Sequence, residues 1–401
     1  MTDALELNLL DGAWHDADAH AVWAQLRREA PVHYDPQGDV WGISKYHDIL
    51  AVEKDPATFS SFRAPAPHGM HLPMMISMDD PEHQCRRGLV SRGFTPKRVA
   101  DHEPMLREVC NRIIDKVCEK GSADFVWDIA APLPLIMIAH LLGFEEEMHD
   151  DLLRWSEALV EPVEGRSVED GMAHASAVTM EFAEAQLALV ADRRANPRDD
   201  VLTTLCQAEI DGERLDDASL VQESLLILIG GDETTRHVLS AGMLALIENP
   251  DQSEALRSGR ADMATAVEEM IRWASPVQAM GRTVTRDVEF RGHTMTEGQQ
   301  LALFYPSGNR DEDVFADPQR FDVTRTPNPH VAFGFGTHFC LGASLARLEC
   351  RVMFRELLRR LPDIRLASGA TLHRRPSNFV SGLESMPVTF TPTAPEGTSH
   401  G

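Results

Sequence analysis

Residues Asp217 to Asn249 carry one unbroken helical pattern, stopped by Pro250. At about 1.5 Å per residue, such a helix crosses most of a 401-residue chain, so the fold must be organised around it. Gly230 and Gly231 lie near its centre. Each costs about 1 kcal/mol relative to alanine in a helix interior. Either something comes close to the backbone there, or the helix is locally distorted. Asp232, Glu233, Thr234 and Thr235 follow at once. One reading is a pocket for a small ligand above the two glycines, with Thr234 donating a hydrogen bond and an adjacent acid feeding protons. A solvent-facing turn of an amphipathic helix accounts for the stretch alone equally well.

The remaining pattern is helices first, then a smaller β-containing part. Helices are expected at 23–30, 46–53, 81–92, 96–119, 132–142, 146–160, 167–195, 199–208, 261–273 and 343–360, with a hairpin over 33–44. Residues 62–73 read as a loop, as do 306–337. Short strands are expected in 282–304 and 364–390. This gives a mainly α fold in a single domain, 1–401, with flexible ends at 1–16 and 391–401.

A net charge of −25 argues against nucleic acid and anionic membrane surfaces, both of which need clustered Lys and Arg. Cys85, Cys110, Cys118, Cys206, Cys340 and Cys350 include no C-x-x-C pair, which removes zinc-ribbon and thioredoxin-like chemistry. Dispersed cysteines in a large chain fit a reducing cytoplasm. The acidic start lacks a signal-peptide pattern. No apolar run is expected to reach the roughly 20 residues of a membrane span, and Leu225 to Ile229 reads as the longest core run.

Cys340 ends the stretch Phe333-Gly334-Phe335-Gly336-Thr337-His338-Phe339-Cys340, and Gly342 leads into the last helix. The glycines permit tight turns. Exposed amides at a helix start favour a thiolate. A soft anionic sulfur on a rigid loop suits iron or copper better than calcium or magnesium. Phe333 and Phe339 could wall it from water. A lone cysteine is more often an inert buried thiol, so the weight rests on the full pattern Phe-Gly-x-Gly-x-His-x-Cys-x-Gly.

With that pattern the chain resembles the cytochrome P450 superfamily, from about residue 20 to 390. The resemblance implies a haem b sandwiched between the long helix and the cysteine loop, with Cys340 as thiolate ligand. It implies that Gly230, Gly231, Glu233 and Thr234 form an oxygen-activating groove, with Glu233 as the acid and Thr234 as the alcohol. His83, Arg87, Arg282 and His338 match propionate partners, and Phe333 and Gly342 flank the haem. Glu269 and Arg272 match a structural Glu-x-x-Arg pair, with Arg320 as its third member. Four further stretches, 72–76, 228–237, 331–333 and 379–388, are similar to bacterial hydroxylases of the terminal methyl of cholesterol or cholest-4-en-3-one. That likeness implies an apolar pocket lined by Met70, Leu72, Met74, Met75, Leu226, Val277, Met280 and Val380. Gln278 could add a polar contact.

The activity so implied inserts one oxygen atom of O2 into an unactivated C–H bond, the thiolate favouring O–O cleavage. Within the 401 residues no flavin- or nicotinamide-binding stretch is visible. Electrons are therefore expected from NAD(P)H through a ferredoxin reductase and a ferredoxin. Arg347, Arg351, Arg355 and Arg359 could dock that ferredoxin, or form a solvated face balanced by acids. Competing readings are a macrolide, terpene or branched fatty acid as substrate, a peroxide-driven peroxygenase, and a non-catalytic haem sensor or lipid-binding haem protein.

Overall fold

The computed structural model describes residues 7–12, 19–63, 65–69, 71–160 and 168–397. The long helix runs Asp217–Glu248. Asp216 caps it, its carboxylate accepting from the Ser219 amide at 2.8 Å. Its buried residues occur all around its circumference, as expected of a helix enclosed by others. It packs on Pro132–Leu142, Met263–Ala274, Val168–Ala195 and the last helix, Ala343–Arg360.

The helices depart from the expected pattern in three places, for local reasons. The 96–119 stretch divides into Pro96–Asp101 and Glu103–Asp115 at His102, with Pro104 in the first turn of the second. A helix at Pro250–Arg257 follows the long one, because Pro250 starts a new helix as well as ending the old. The helix Pro132–Leu142 is preceded by a wide helical turn, Phe125–Ala130. The combined stretch Phe125–Leu142 is apolar and long enough to cross a bilayer, which corrects the expectation that none exists. Pro132 and Pro134 sit in a first turn where no amide is needed, so they start the second part of this stretch rather than end it. The stretch is mostly buried against the rest of the protein.

A five-stranded sheet covers one side. Val32–Asp35 pairs antiparallel with Val40–Ile43, which runs parallel to Gln300–Leu303. The sheet continues through Met280–Val284 to Phe59–Ser60. A three-stranded sheet joins Arg365–Leu366, Pro387–Thr389 and Ser122–Asp124. Most of the 364–390 tail is irregular, held by isolated bridges such as Arg374 with Leu383. Within the stretches expected to be flexible ends, the described residues are tethered. The Leu9 amide donates to Asp35 at 2.8 Å, and the Thr393 amide donates to the Cys118 carbonyl at 2.9 Å. The outer parts of both ends lie outside the described residues.

Candidate active site

Gly230 and Gly231 have opposite surroundings. A Cβ on Gly231 would lie 2.5 Å from Ile138 Cδ1, so this glycine lets the helix Pro132–Leu142 approach. A Cβ on Gly230 would meet nothing within 4 Å. Gly230 is exposed although the helix around it is buried, so the long helix faces open space at this residue. Its carbonyl accepts from the Thr234 hydroxyl at 2.8 Å.

Glu233 is turned into a charge cluster. Its carboxylate accepts from Arg236 Nη2 and Arg375 Nη1, each at 2.7 Å. Arg236 also lies 3.5 Å from Glu157. Asp232, a neighbour that the sequence reading left without a role, is fully buried. Burial pushes its carboxyl up to about 6, against the pull of Arg236.

The cysteine loop is shaped by glycine. Gly334 and Gly336 have φ of 67° and 72°, a region closed to most side chains. The Cys340 amide donates to the Phe333 carbonyl at 2.9 Å. Burial raises the Cys340 thiol, while the amides of Gly342 and Ala343 and the charges of Arg87 and Arg347 favour the anion. Phe333 packs edge-on to Phe339 and under the Arg347 guanidinium. Phe339 itself is 41% exposed.

His83, Arg87, His338 and Arg282 converge from three parts of the chain. The His83 and His338 rings lie 4.0 Å apart. Arg87 donates to the Phe339 carbonyl. Burial, His83, Arg282 and Arg87 together drive His338 down to about 3. His83 Nε2 is buried without a hydrogen-bond partner. A partly buried group of donors with an orphaned nitrogen, beside a cysteine held at a helix start, fits an anionic iron porphyrin whose carboxylates need such partners.

The structural pair Glu269–Arg272 is fully buried and joined by two 2.7 Å hydrogen bonds. Arg272 also donates to the carbonyls of Asn309, Pro318 and Arg320. The third side chain is Arg325, not Arg320. Arg325 Nε lies 3.1 Å from Glu269, while Arg320 is exposed and offers only its carbonyl. The chain turns between these two arginines, so spacing alone could not tell which one points inward.

The expected pocket residues fall into groups. Leu72, Met74, Met75 and Leu226 belong to the main core cluster, and Val277 and Met280 pack on the sheet cluster. Val277 pairs with Val380 through a β-bridge. Gln278 commits its amide nitrogen to the carbonyls of Ser275 and Pro276, at 3.1 and 3.0 Å. Met70 lies outside the described residues. Glu223 was missed by the sequence reading. It is buried, accepts from the Met75 amide at 3.0 Å, and lies 3.5 Å from Arg86.

The arginine row on the last helix is largely engaged. Arg347 is bonded to Glu268 at 2.6 Å, Arg351 lies 3.5 Å from Glu103, and Arg359 pairs with Glu356 and Glu396. Arg355 is exposed. Against the push of burial, His330 and Arg347 hold the Glu268 carboxyl down to about 2.

The family described as Cytochrome P450 matches residues 136–259 and 263–362. A steroid C26-monooxygenase of Mycobacterium tuberculosis is 46% identical, over 99% of this chain and 100% of the relative. A methyl-branched lipid omega-hydroxylase of Mycobacterium bovis is 38% identical, over 96% of this chain and 94% of the relative. The structure of CYP109E1 from Bacillus megaterium in complex with corticosterone superposes with a TM-score of 0.86. It is 32% identical, over 92% of this chain and 98% of that one.

Proposed function

The chain belongs to the cytochrome P450 family, and from that premise we propose that it hydroxylates the side chain of a sterol, at a terminal methyl. It is a cytochrome P450 monooxygenase that uses haem iron, with O2 as co-substrate. The observation that carries the sterol reading is 46% identity to a steroid C26-monooxygenase along essentially the whole of both chains. A methyl-branched lipid is the second reading, favoured by the 38% identity to an omega-hydroxylase of such lipids. The two substrates share a branched apolar terminus, so a similar pocket end would serve either.

In this reading the whole chain works as one domain. Cys340 is the iron ligand, and His83, Arg87, Arg282 and His338 hold the propionates. Phe333 and Gly342 would flank the ring, Gly230 would leave room beside it, and Gly231 lets the helix Pro132–Leu142 approach. When bound, the haem supplies the iron at which dioxygen is reduced and from which one oxygen atom reaches the substrate. The Thr234 hydroxyl, anchored on the Gly230 carbonyl, holds a proton beside that open space. Glu233 fixes the charge behind it through Arg236 and Arg375. Leu72, Met74, Met75, Leu226, Val277, Met280 and Val380 orient the apolar substrate and exclude water. Electrons come from a separate redox partner, which we take to be a ferredoxin served by an NAD(P)H-dependent reductase, in the cytoplasm.

The test is a screen of sterols and methyl-branched lipids against the purified ferric protein. A sterol is expected to shift the Soret band to shorter wavelength, and turnover should yield a product with one oxygen on the side-chain terminus. Spectral binding and turnover confined to methyl-branched lipids would replace the sterol reading. In Cys340→Ala the red-shifted Soret band of the reduced carbon monoxide complex is expected to vanish, and its persistence would remove Cys340 as ligand.

A further inference from the structure

Glu53 ends the helix Tyr46–Glu53 and is buried, although the Glu-x-x-Arg pair and the oxygen groove make no use of it. Its Oε1 accepts from the Tyr305 hydroxyl at 2.5 Å and lies 3.4 Å from Arg282 Nη2. The Phe335 amide, in the cysteine loop, also donates to this carboxylate. Oε2 has no hydrogen-bond partner. The two left-handed glycines of the loop sit directly on this residue. A Cβ on Gly334 would lie 3.3 Å from Glu53 Oε1, and one on Gly336 would lie 2.7 Å from the Glu53 carbonyl oxygen. One carboxylate thus touches the loop that carries Cys340, the start of the helix Tyr305–Gly308, and the strand that carries Arg282.

We propose that Glu53 is a positioning residue of the haem site: it seats the cysteine loop and takes a share of the Arg282 charge, so that its protonation tunes the grip on a haem propionate and the reduction potential of the iron. The proposal rests on the reading of Arg282 as a propionate partner. Arg282 faces the carboxylate from the strand and Tyr305 from the short helix. Lys54, next in the chain, instead lies over the Phe335 ring. Burial pushes the Glu53 carboxyl up to about 7, with Arg282, Tyr305 and the Phe335 amide opposing. A charge that appears near neutral pH at this point divides the attraction of Arg282 between two carboxylates and disfavours the added electron of the ferrous state.

The experiment is an anaerobic measurement of the midpoint potential of the substrate-free holoprotein between about pH 6 and pH 9, with haem transfer to apomyoglobin followed in parallel. The wild type is expected to lose potential as pH rises, and to release haem faster at the alkaline end. Glu53→Gln keeps the hydrogen-bonding shape without the charge. It is expected to flatten the component of the profile that Glu53 contributes, to raise the potential at the alkaline end, and to slow haem release there. The propionates titrate in both proteins, so the difference between the two profiles isolates Glu53. A merely structural role would change the melting temperature and leave that difference flat, and superimposable profiles overturn the proposal. If Glu53→Gln does not fold, Tyr305→Phe removes an interaction that acidifies Glu53, so the fall should move to higher pH. An unmoved fall is equally fatal. Arg282→Gln separates the two layers. Unchanged haem release in that variant defeats the propionate reading itself. Faster release, with Glu53→Gln profiles like the wild type, defeats only the role of Glu53.

Discussion

At the scale of single residues, direction matters more than spacing. Arg320 and Arg325 are both close in sequence to the loop that Arg272 holds, yet only Arg325 brings its side chain to Glu269. Arg325→Ala removes a charge-assisted hydrogen bond from a fully buried carboxylate that keeps Arg272. It should cost on the order of 2 kcal/mol in denaturant unfolding. Arg320→Ala leaves the carbonyl that Arg272 uses and should stay within about 0.5 kcal/mol of wild type. Equal effects of the two substitutions would mean that the exposed arginine carries the network after all. Gly382 offers a second test, because a Cβ there would lie 2.0 Å from His237 Nδ1. His237 is buried and has little room to yield, so Gly382→Ala should destabilise by roughly 1–3 kcal/mol.

At the scale of elements, the double glycine separates into two functions. Gly231→Ala should destabilise the protein by roughly 1–3 kcal/mol, since Ile138 already occupies the space its Cβ needs. Gly230→Ala meets nothing, and the gain in helix propensity is about 1 kcal/mol. That substitution should leave the melting temperature unchanged or raised while it weakens substrate binding and product yield by crowding the groove. A melting temperature that falls as far as in Gly231→Ala would show that the space beside Gly230 is not real. Much of this element was legible from sequence. The limits Asp217–Glu248 follow from the helical pattern and Pro250, and the cysteine loop follows from its glycines. The charge cluster around Glu233 was not legible. Its partners Arg375 and Glu157 lie on distant segments, and helical periodicity says nothing about which distant charge will meet a given face. The same holds for Glu53, which reads in sequence as an ordinary helix-terminal acid and becomes buried only when the cysteine loop closes over it.

For the whole molecule, the distribution of acids sets how stability responds to pH. A chain with net charge −25 nevertheless buries carboxyl groups that are held largely neutral. Burial pushes Glu349 up to about 8, Glu53 and Glu223 to about 7, and Asp232 to about 6. In the unfolded chain such groups ionise near pH 4. Their neutral forms therefore favour the folded state fully below about pH 4, and that contribution is lost as pH rises through their folded values. Glu268 works in the opposite sense, since its stabilisation is present above about pH 4 and lost only as pH falls toward 2. From about pH 5.5 to 8.5 the buried acids lower stability as pH rises, while histidines held low by burial, among them His20, His83, His237 and His338, raise it as the unfolded imidazoles lose their protons near 6.5. The two trends oppose each other, so the part of a single acid is read as the difference between wild type and a variant. Glu349 has the largest upward shift of these carboxyls, opposed only by the Thr235 hydroxyl, and removes on the order of 3 kcal/mol of stability across that interval. Glu349→Gln keeps a partner for Thr235 and cannot ionise, so its melting temperature should rise relative to that of the wild type as pH rises, and exceed it on the alkaline side. Calorimetry at constant ionic strength reads both slopes. A difference between the two proteins that stays flat from about pH 5.5 to 8.5 would mean that Glu349 is ionised throughout, and that the interior tolerates its charge.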